Sequence, residues 1–340
     1  MILFRPIKES DYAVFLEMVA VANREGTHLP DDADLLKSKF HHALASFQGG
    51  LRKGGEFYLF FLEDTASKKV IGMSALTGQS GHVNPISTYH IREIHFAKEH
   101  HSLKEQKILH RQRLIQGPAE LSFLFLLPEE RKSGYGRLLS LGRLLFIAAF
   151  QSAFPATLMT ALNGCSLKNG TSPFWENFGR LFFDIDSKGI WQMMRNEKEI
   201  EPFLPSYPVY LSLLPKEAQS SIGKAHPNVK PALKLLLQEG FQLTHDIHVI
   251  DGGPYIESKV QNIRSIKESK RASFAGCRDI QPQELMLIAN TRKEGFRCIA
   301  APLEKSRQSV YLSKEVKAGL QLKTGDEVIY TPMSIFNAKE

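Results

Sequence analysis

Glu120-Leu-Ser-Phe-Leu124-Phe-Leu-Leu-Pro128-Glu-Glu-Arg131-Lys-Ser-Gly134-Tyr-Gly136-Arg-Leu-Leu139 holds three things in succession: an apolar run, a basic turn with two glycines, and the opening of an amphipathic helix. Residues 119–127 read as a buried strand that Pro128 ends. Residues 134–154 read as a helix, with Leu138, Leu141, Leu145 and Ala148 along one stripe. The first turn of a helix leaves backbone N–H groups unpaired and carries partial positive charge, so it can hold a phosphate. Gly134 and Gly136 have no side chains to keep a pyrophosphate off those amides, and Arg131, Lys132 and Arg137 add charge at the same end. A Rossmann dinucleotide site needs Gly-x-Gly-x-x-Gly directly after the strand. Here the glycine spacing differs and six residues separate Leu127 from Gly134. No Gly-x-x-x-x-Gly-Lys-Ser/Thr occurs, so a P-loop nucleotidase has no support.

Upstream of this stretch, residues 2–5 read as a short strand, followed by a helix from an N-cap at Ser10 or Asp11. That helix has Val14, Phe15, Met18, Val19 and Ala22 on one face. A second helix should cover 33–47 and stop at Gly49-Gly50. Residues 57–62 and 70–76 read as a strand pair turning at 64–67. Residues 89–96 alternate weakly, and 98–114 is polar and His-rich. Downstream, a strand is expected at 157–162, a helix at 173–178 with Pro173 in its first turn, and a helix at 232–239 before Gly240. Residues 261–276, with Arg264, Lys267, Lys270 and Arg271, read as a linker or exposed helix. Apolar runs at 285–289, 296–300, 310–312 and 327–330, with a turn at 323–326, point to a small β-rich C-terminal domain. The fold class is therefore α/β (α+β), divided as 1–262, a basic linker at 263–276, and 277–340.

Composition sets the bounds. With 340 residues, 43% hydrophobic and 23% charged, the chain buries a sizeable core and is not disordered over most of its length. Lys plus Arg is 43 and Asp plus Glu is 36, and the resulting +7 permits an anionic ligand without implying nucleic acid. Cys165, Cys277 and Cys298 are odd in number and far apart, which gives no disulfide framework and fits a reducing compartment. The first charge, Arg5, comes too early for a signal peptide. The most apolar stretch, 138–150, is interrupted by Arg143 and is shorter than the ~20 residues of a membrane span. A cytoplasmic protein with no membrane segment is expected. No internal repeat is evident.

The spacing Arg-x-x-Gly-x-Gly, from Arg131 to Gly136, resembles the coenzyme A pyrophosphate loop of the GNAT acyltransferase superfamily. Such a hexapeptide arises by chance in on the order of one in ten chains of this length, but its place between strand and helix makes it more specific. The likeness to one GNAT family runs through nearly the whole chain. It includes Arg5-Pro6 with Ser10-Asp11, Phe47-Gln48-Gly49, Leu62-Glu63-Asp64, Glu120-Leu121 and Leu124-Phe125-Leu126. It continues through Ser172-Pro-Phe-Trp175, Phe182-Phe183, His226-Pro227, Glu239-Gly-Phe241 and Asp251-Gly-Gly-Pro254. On these residues the sequence resembles the arginine N-succinyltransferase family.

The resemblance implies a GNAT-like acyl-CoA transferase core that moves a succinyl group from succinyl-CoA, as co-substrate, to the α-amino group of arginine by direct amine attack. It implies coenzyme binding by Leu124, Leu126, Arg131, Lys132, Gly134 and Gly136, and a catalytic proton donor at His226. No metal or prosthetic group is implied, and a homo-oligomer is compatible. The sequence departs from the family before Ser172: relatives carry Glu-Met-Arg-Gly and then acidic residues, where this chain has Ala161-Leu-Asn163-Gly164 and Leu167-Lys168. That departure bears on the acceptor. Two other functions stay open, an acetyl-CoA-dependent N-acyltransferase on another amine and a non-catalytic GNAT-fold regulatory or binding protein. His41-His42, His90, His95 and His100-His101 lack the tight Cys/His spacing of a zinc site. Trp175 and Met193-Met194 read as core, and Glu120, Asp251 and Glu257 are carboxylates that could meet a guanidinium.

Overall fold

The computed structural model of the protein describes residues 1–49, 53–82, 84–94, 106–131, 134–167, 170–281 and 283–333. Strand β1 (Ile2–Pro6) leads through a single 3-10 turn into α1 (Tyr12–Arg24). Buried Arg5 fixes that junction by donating to Asp11 (2.6 Å) and pairing with Glu63. Helix α2 (Ala33–Gln48) starts where the Asp32 carboxylate accepts the Leu35 N–H, and stops at Gly49 in the left-handed conformation (φ 80°). Strands β2 (Phe57–Asp64) and β3 (Lys69–Thr77) form a hairpin whose turn Asp64 holds by accepting from Ala66 N and Ser67 Oγ. Next come β4 (Ile86–Ile94), β5 (Gln106–Leu114), β6 (Ala119–Leu126), α3 (Tyr135–Ala149) and β7 (Thr157–Ala161). The middle of the chain adds α4 (Pro173–Asn177), α5 (Ser187–Arg195), β8 (Val209–Tyr210), α6 (Lys216–Ser221), α7 (Lys230–Gln238), β9 (Gln242–His248) and β10 (Pro254–Lys259). The last part holds α8 (Arg264–Lys267), β11 (Lys270–Cys277), β12 (Met286–Asn290), β13 (Cys298–Ala301), β14 (Glu304–Ser306), β15 (Ser309–Leu312), α9 (Lys314–Leu320) and β16 (Glu327–Pro332).

Helices set among strands make this an α+β fold. The described strands form one sheet in the order β14-β15-β11-β16-β12-β13-β1-β2-β3-β6-β7-β10-β9-β4-β5-β8. Most neighbours are antiparallel; β6 with β7 and β11 with β15 run parallel. Three hydrophobic clusters fill it. The largest joins α1, α2 and α3 to β1, β2, β3 and β6, with Phe4, Phe60, Phe146 and Phe296 in ring contact at its centre. The second lies in the C-terminal strands and α9, around Phe274, Ile288 and Leu320. The third packs Phe174, Trp175 and Phe178 against Tyr89 and Ile247.

Several elements differ from expectation. The helix expected to reach 154 leaves helical geometry at Phe150 (φ −126°, ψ 39°) and is followed by a 3-10 turn. The polar segment 106–114 is strand β5, paired along its full length with β4. Strands β9 and β10 and helix α9 were not legible at all. Residues 261–276, read as a linker or exposed helix, hold α8 and most of β11, and β11 pairs with β15 on one edge and β16 on the other. Among the described residues, no helix is long and apolar enough to cross a membrane.

Candidate active site

The parallel strands β6 and β7 pair at only two positions, Ala119 with Leu158 and Glu120 with Met159, and Thr160 Oγ1 adds a bond to Leu121 O (2.7 Å). Beyond that they separate, because β6 stays with β3 while β7 stays with β10. A wedge-shaped cleft therefore opens toward the C-terminal ends of both strands. The ladder with β3 says what β6 turns into it. Leu127 N donates to Ile71 O (2.9 Å), so by antiparallel alternation Phe125 exchanges bonds with Met73. Leu124 and Leu126 then point their N–H and C=O groups away from β3, to the edge that β7 has left. Ser122, Phe123 and Leu124 are correspondingly half-buried in a strand whose ends are buried.

At the mouth of the cleft the chain passes through 127–131 to the N-terminus of α3. Gly134 is the N-cap, at φ 80°, and beyond its chain neighbours no atom of the described residues lies within 4 Å of where a Cβ would stand. That conformation favours glycine and leaves the amides of the first turn open on one side. Gly136 is also open, its nearest neighbour being Leu126 Cδ2 at 3.9 Å. Arg131 is held in place: Nε donates to Leu126 O (3.3 Å), Nη2 pairs with Glu25 (2.9 Å), and the guanidinium lies 5.9 Å from the Phe125 ring centre. Lys132, the remaining candidate on this loop, lies outside the described residues.

The opposite wall is built from three loops that share hydrogen bonds. His226 N donates to Asn163 O (2.8 Å), and Gly164 bridges to Ala225. Gly164 N donates to the buried Asp251 carboxylate (2.7 Å), which also takes Gly253 N (2.9 Å) and faces His248 Nδ1 (3.2 Å). Burial pushes the Asp251 pKa up, but His248 and these two amides outweigh it and leave it below the usual range. His226 itself is half-buried and caps the 3-10 turn after it, its Nδ1 accepting the Asn228 N–H (3.2 Å). With Nδ1 as acceptor, the neutral ring carries its proton on Nε2. The segment 161–164 thus falls beside His226.

Behind this wall lies a stack that sequence reading missed. Trp191 is sandwiched between His28 (ring centres 3.8 Å apart, planes 8°) and His248 (5.0 Å, 9°). Of the three carboxylates considered for a guanidinium, Asp251 is used internally and Glu257 is exposed. Glu120 sits where β6 and β7 last touch, accepts from Ser80 Oγ (2.8 Å) and has no ion pair among the described residues; burial holds its pKa above the usual carboxylate range. Trp175 is fully buried with Nε1 donating to Ile185 O (2.8 Å), which makes it core. Met193 and Met194 pack half-buried against the same cluster. No group of three or more His, Cys, Asp or Glu among the described residues is arranged to hold a metal, and His95, His100, His101 and Lys168 lie outside them.

The profile of the arginine N-succinyltransferase beta subunit matches residues 2–265, and that of its C-terminal domain matches residues 278–332. The chain belongs to the arginine N-succinyltransferase family. It is 34% identical to "Arginine N-succinyltransferase" of Yersinia enterocolitica, with 96% of each chain covered. It is 32% identical to "Arginine N-succinyltransferase subunit beta" of Pseudomonas aeruginosa, with 98% of each covered. The solved structure of arginine/ornithine succinyltransferase subunit AI from Pseudomonas aeruginosa superposes with a TM-score of 0.89 at 28% identity, over 98% of this chain and 99% of that one. As a member of this acyltransferase family the protein is an enzyme with an acyl-CoA co-substrate.

Proposed function

We propose that the protein transfers the succinyl group of succinyl-CoA to the α-amino group of arginine. The observation that carries this reading is the edge of β6 beyond its pairing with β7, where the Leu124 N–H and C=O and the Leu126 N–H turn into a cleft ending at the Gly134 N-cap of α3, while Arg131 holds the Leu126 C=O. Coenzyme A complements both features. Its amide-bearing pantetheine arm can pair with a strand edge as another strand would, and its pyrophosphate meets the unpaired amides of a helix N-terminus. Leu124, Leu126, Arg131, Lys132, Gly134 and Gly136 form the coenzyme side of this reading. The names of the relatives supply the acyl group and the acceptor.

In the transfer, the amine lone pair attacks the thioester carbon, the carbonyl oxygen becomes an oxyanion, and the C–S bond breaks to release CoA thiolate. The amine sheds a proton and the thiolate gains one. His226 first takes up a proton that the amine releases and becomes the imidazolium; its Nε2–H is then the donor toward the departing sulfur, which returns the ring to the neutral form. Glu120, a carboxyl group with no ion pair among the described residues, stands where β6 and β7 part and suits a cationic acceptor. The three cysteines are free, consistent with a cytoplasmic enzyme.

The test is a panel of arginine, ornithine, lysine and polyamines with succinyl-CoA and acetyl-CoA, read as released thiol. We expect succinyl-CoA with arginine to give the highest kcat/KM. A strong preference for an amine lacking an α-carboxylate, or for acetyl-CoA, would overturn the assignment.

A further inference from the structure

Arg143 stands in the middle of α3, 3% exposed, within the largest hydrophobic cluster's helix and with no acidic partner among the described residues. Burial alone pulls its pKa down to about 9. Its Nε is buried with no hydrogen-bond partner. A methionine would fill similar space without taking a charge out of water, so packing gives no reason for a guanidinium here. The contacts it does make are with strand backbone: Nη1 donates to Ala75 O (3.2 Å) and to Phe123 O (3.5 Å).

Those two carbonyls mark an irregularity in the cleft strand. From Ser74 to Leu76, β3 advances two residues while β6 runs three, from Leu124 back to Leu121. The extra residue is a bulge at Ser122 and Phe123 that breaks the regular ladder and leaves carbonyls to be satisfied by something other than the opposite strand. Phe123 O belongs to the same peptide group as Leu124 N. Arg143 therefore pulls on the oxygen of the one peptide whose N–H faces the cleft next to the bulge. Donation to a carbonyl polarises the amide and strengthens its N–H as a donor, the more so in a low-dielectric surrounding.

We propose that Arg143 is a positioning residue for acyl transfer: from behind the sheet it holds the β6 bulge and strengthens the Leu124 N–H as a donor to the thioester carbonyl oxygen. This rests on the reading of Leu124 as part of the acyl-CoA site. The donor gains strength as the carbonyl becomes an oxyanion, so the effect falls on kcat more than on coenzyme affinity.

The experiment compares wild type, Arg143→Met and Arg143→Lys in turnover with succinyl-CoA and arginine, in CoA binding by calorimetry, and in isotope-edited infrared spectra of bound acyl-CoA carrying 13C at the thioester carbonyl. Arg143→Met should lower kcat about tenfold or more with CoA affinity kept within about twofold, and Arg143→Lys, which retains charge and a donor, should recover part of that loss. The bound carbonyl band should lie below its solution frequency in wild type and move back toward it in Arg143→Met. A folded Arg143→Met with wild-type kcat, or a wild-type carbonyl band at the solution frequency, would overturn the proposal. The infrared arm on wild type decides even where Arg143→Met does not fold. Absence of any turnover in wild type, with acyl-CoA bound and its carbonyl displaced, would instead count against the acceptor or acyl group of the functional reading.

Discussion

A methyl group on Gly253 would stand 2.2 Å from Leu162 O and 2.5 Å from Gly164 N, and one on Gly164 would stand 2.2 Å from Asp251 O. These two glycines let two backbones cross in contact, with Asp251 accepting an amide from each side. The string Asp251-Gly-Gly-Pro254 was visible in the sequence, but its reason, contact with a loop 87 residues earlier, was not. His226 shows the same limit. Spacing alone could not separate it from eleven other histidines, whereas its bonds to Asn163 and Asn228 tie it to the cleft wall and fix which nitrogen holds the proton. General acid–base help contributes about 10²–10⁴-fold, or roughly 3–5 kcal/mol of barrier. We expect His226→Gln to lower kcat within that range while CoA affinity, measured by calorimetry, stays near wild type. A wild-type kcat in a folded variant would return the residue to a purely structural role as the cap of its 3-10 turn.

At the scale of elements, legibility followed periodicity. Strand β6 and helix α3 stood out because nearly every position in them is apolar or in phase with burial, and Arg143 stood out as the interruption. Strand β5 did not, since Leu109 is its only buried residue and its identity as a strand comes from nine pairings with β4. Propensity is overridden there by a partner distant in the reading frame of any local window. The N-terminus of α3 offers a clean test of the proposed coenzyme loop. Gly136 has room for a side chain, with its nearest neighbour at 3.9 Å. An acidic residue in a first turn also favours the helix dipole, so Gly136→Asp should fold at least as stably as wild type. The same charge opposes a pyrophosphate. We expect CoA affinity to fall about tenfold or more with the melting temperature unchanged or raised; unchanged affinity in calorimetry would place the pyrophosphate elsewhere.

Across the whole molecule, the α1–α2 connection is the strap between distant parts, and nothing in its local sequence announced this. At one end Glu25 pairs with Arg131 of the glycine loop. At the other, Asp31 bonds Asn196 (2.8 Å) and pairs with Arg195, and His28 lies on Trp191 of α5. These contacts run from the glycine loop to the His248–Asp251 side, and through His28 they should make stability depend on pH. Desolvation against Trp191, with His248 and Arg195 adding positive charge and Asp251 opposing them, lowers the His28 pKa to about 4. A free histidine titrates near ~6.5. Between those values the unfolded chain takes up a proton that the folded chain refuses, so stability falls as pH drops from about 6.5 to about 4 and this contribution levels off below that. The residue is exposed outside its stacked face, and solvent there reduces the size of the effect. His28→Gln cannot titrate, so its melting temperature should fall less steeply over that interval than wild type's, with Asp251, His248 and Arg195 still present in both proteins. Parallel melting profiles from pH 6.5 to pH 4 would mean that the stacked ring keeps its proton and that the strap is not where acid weakens the fold.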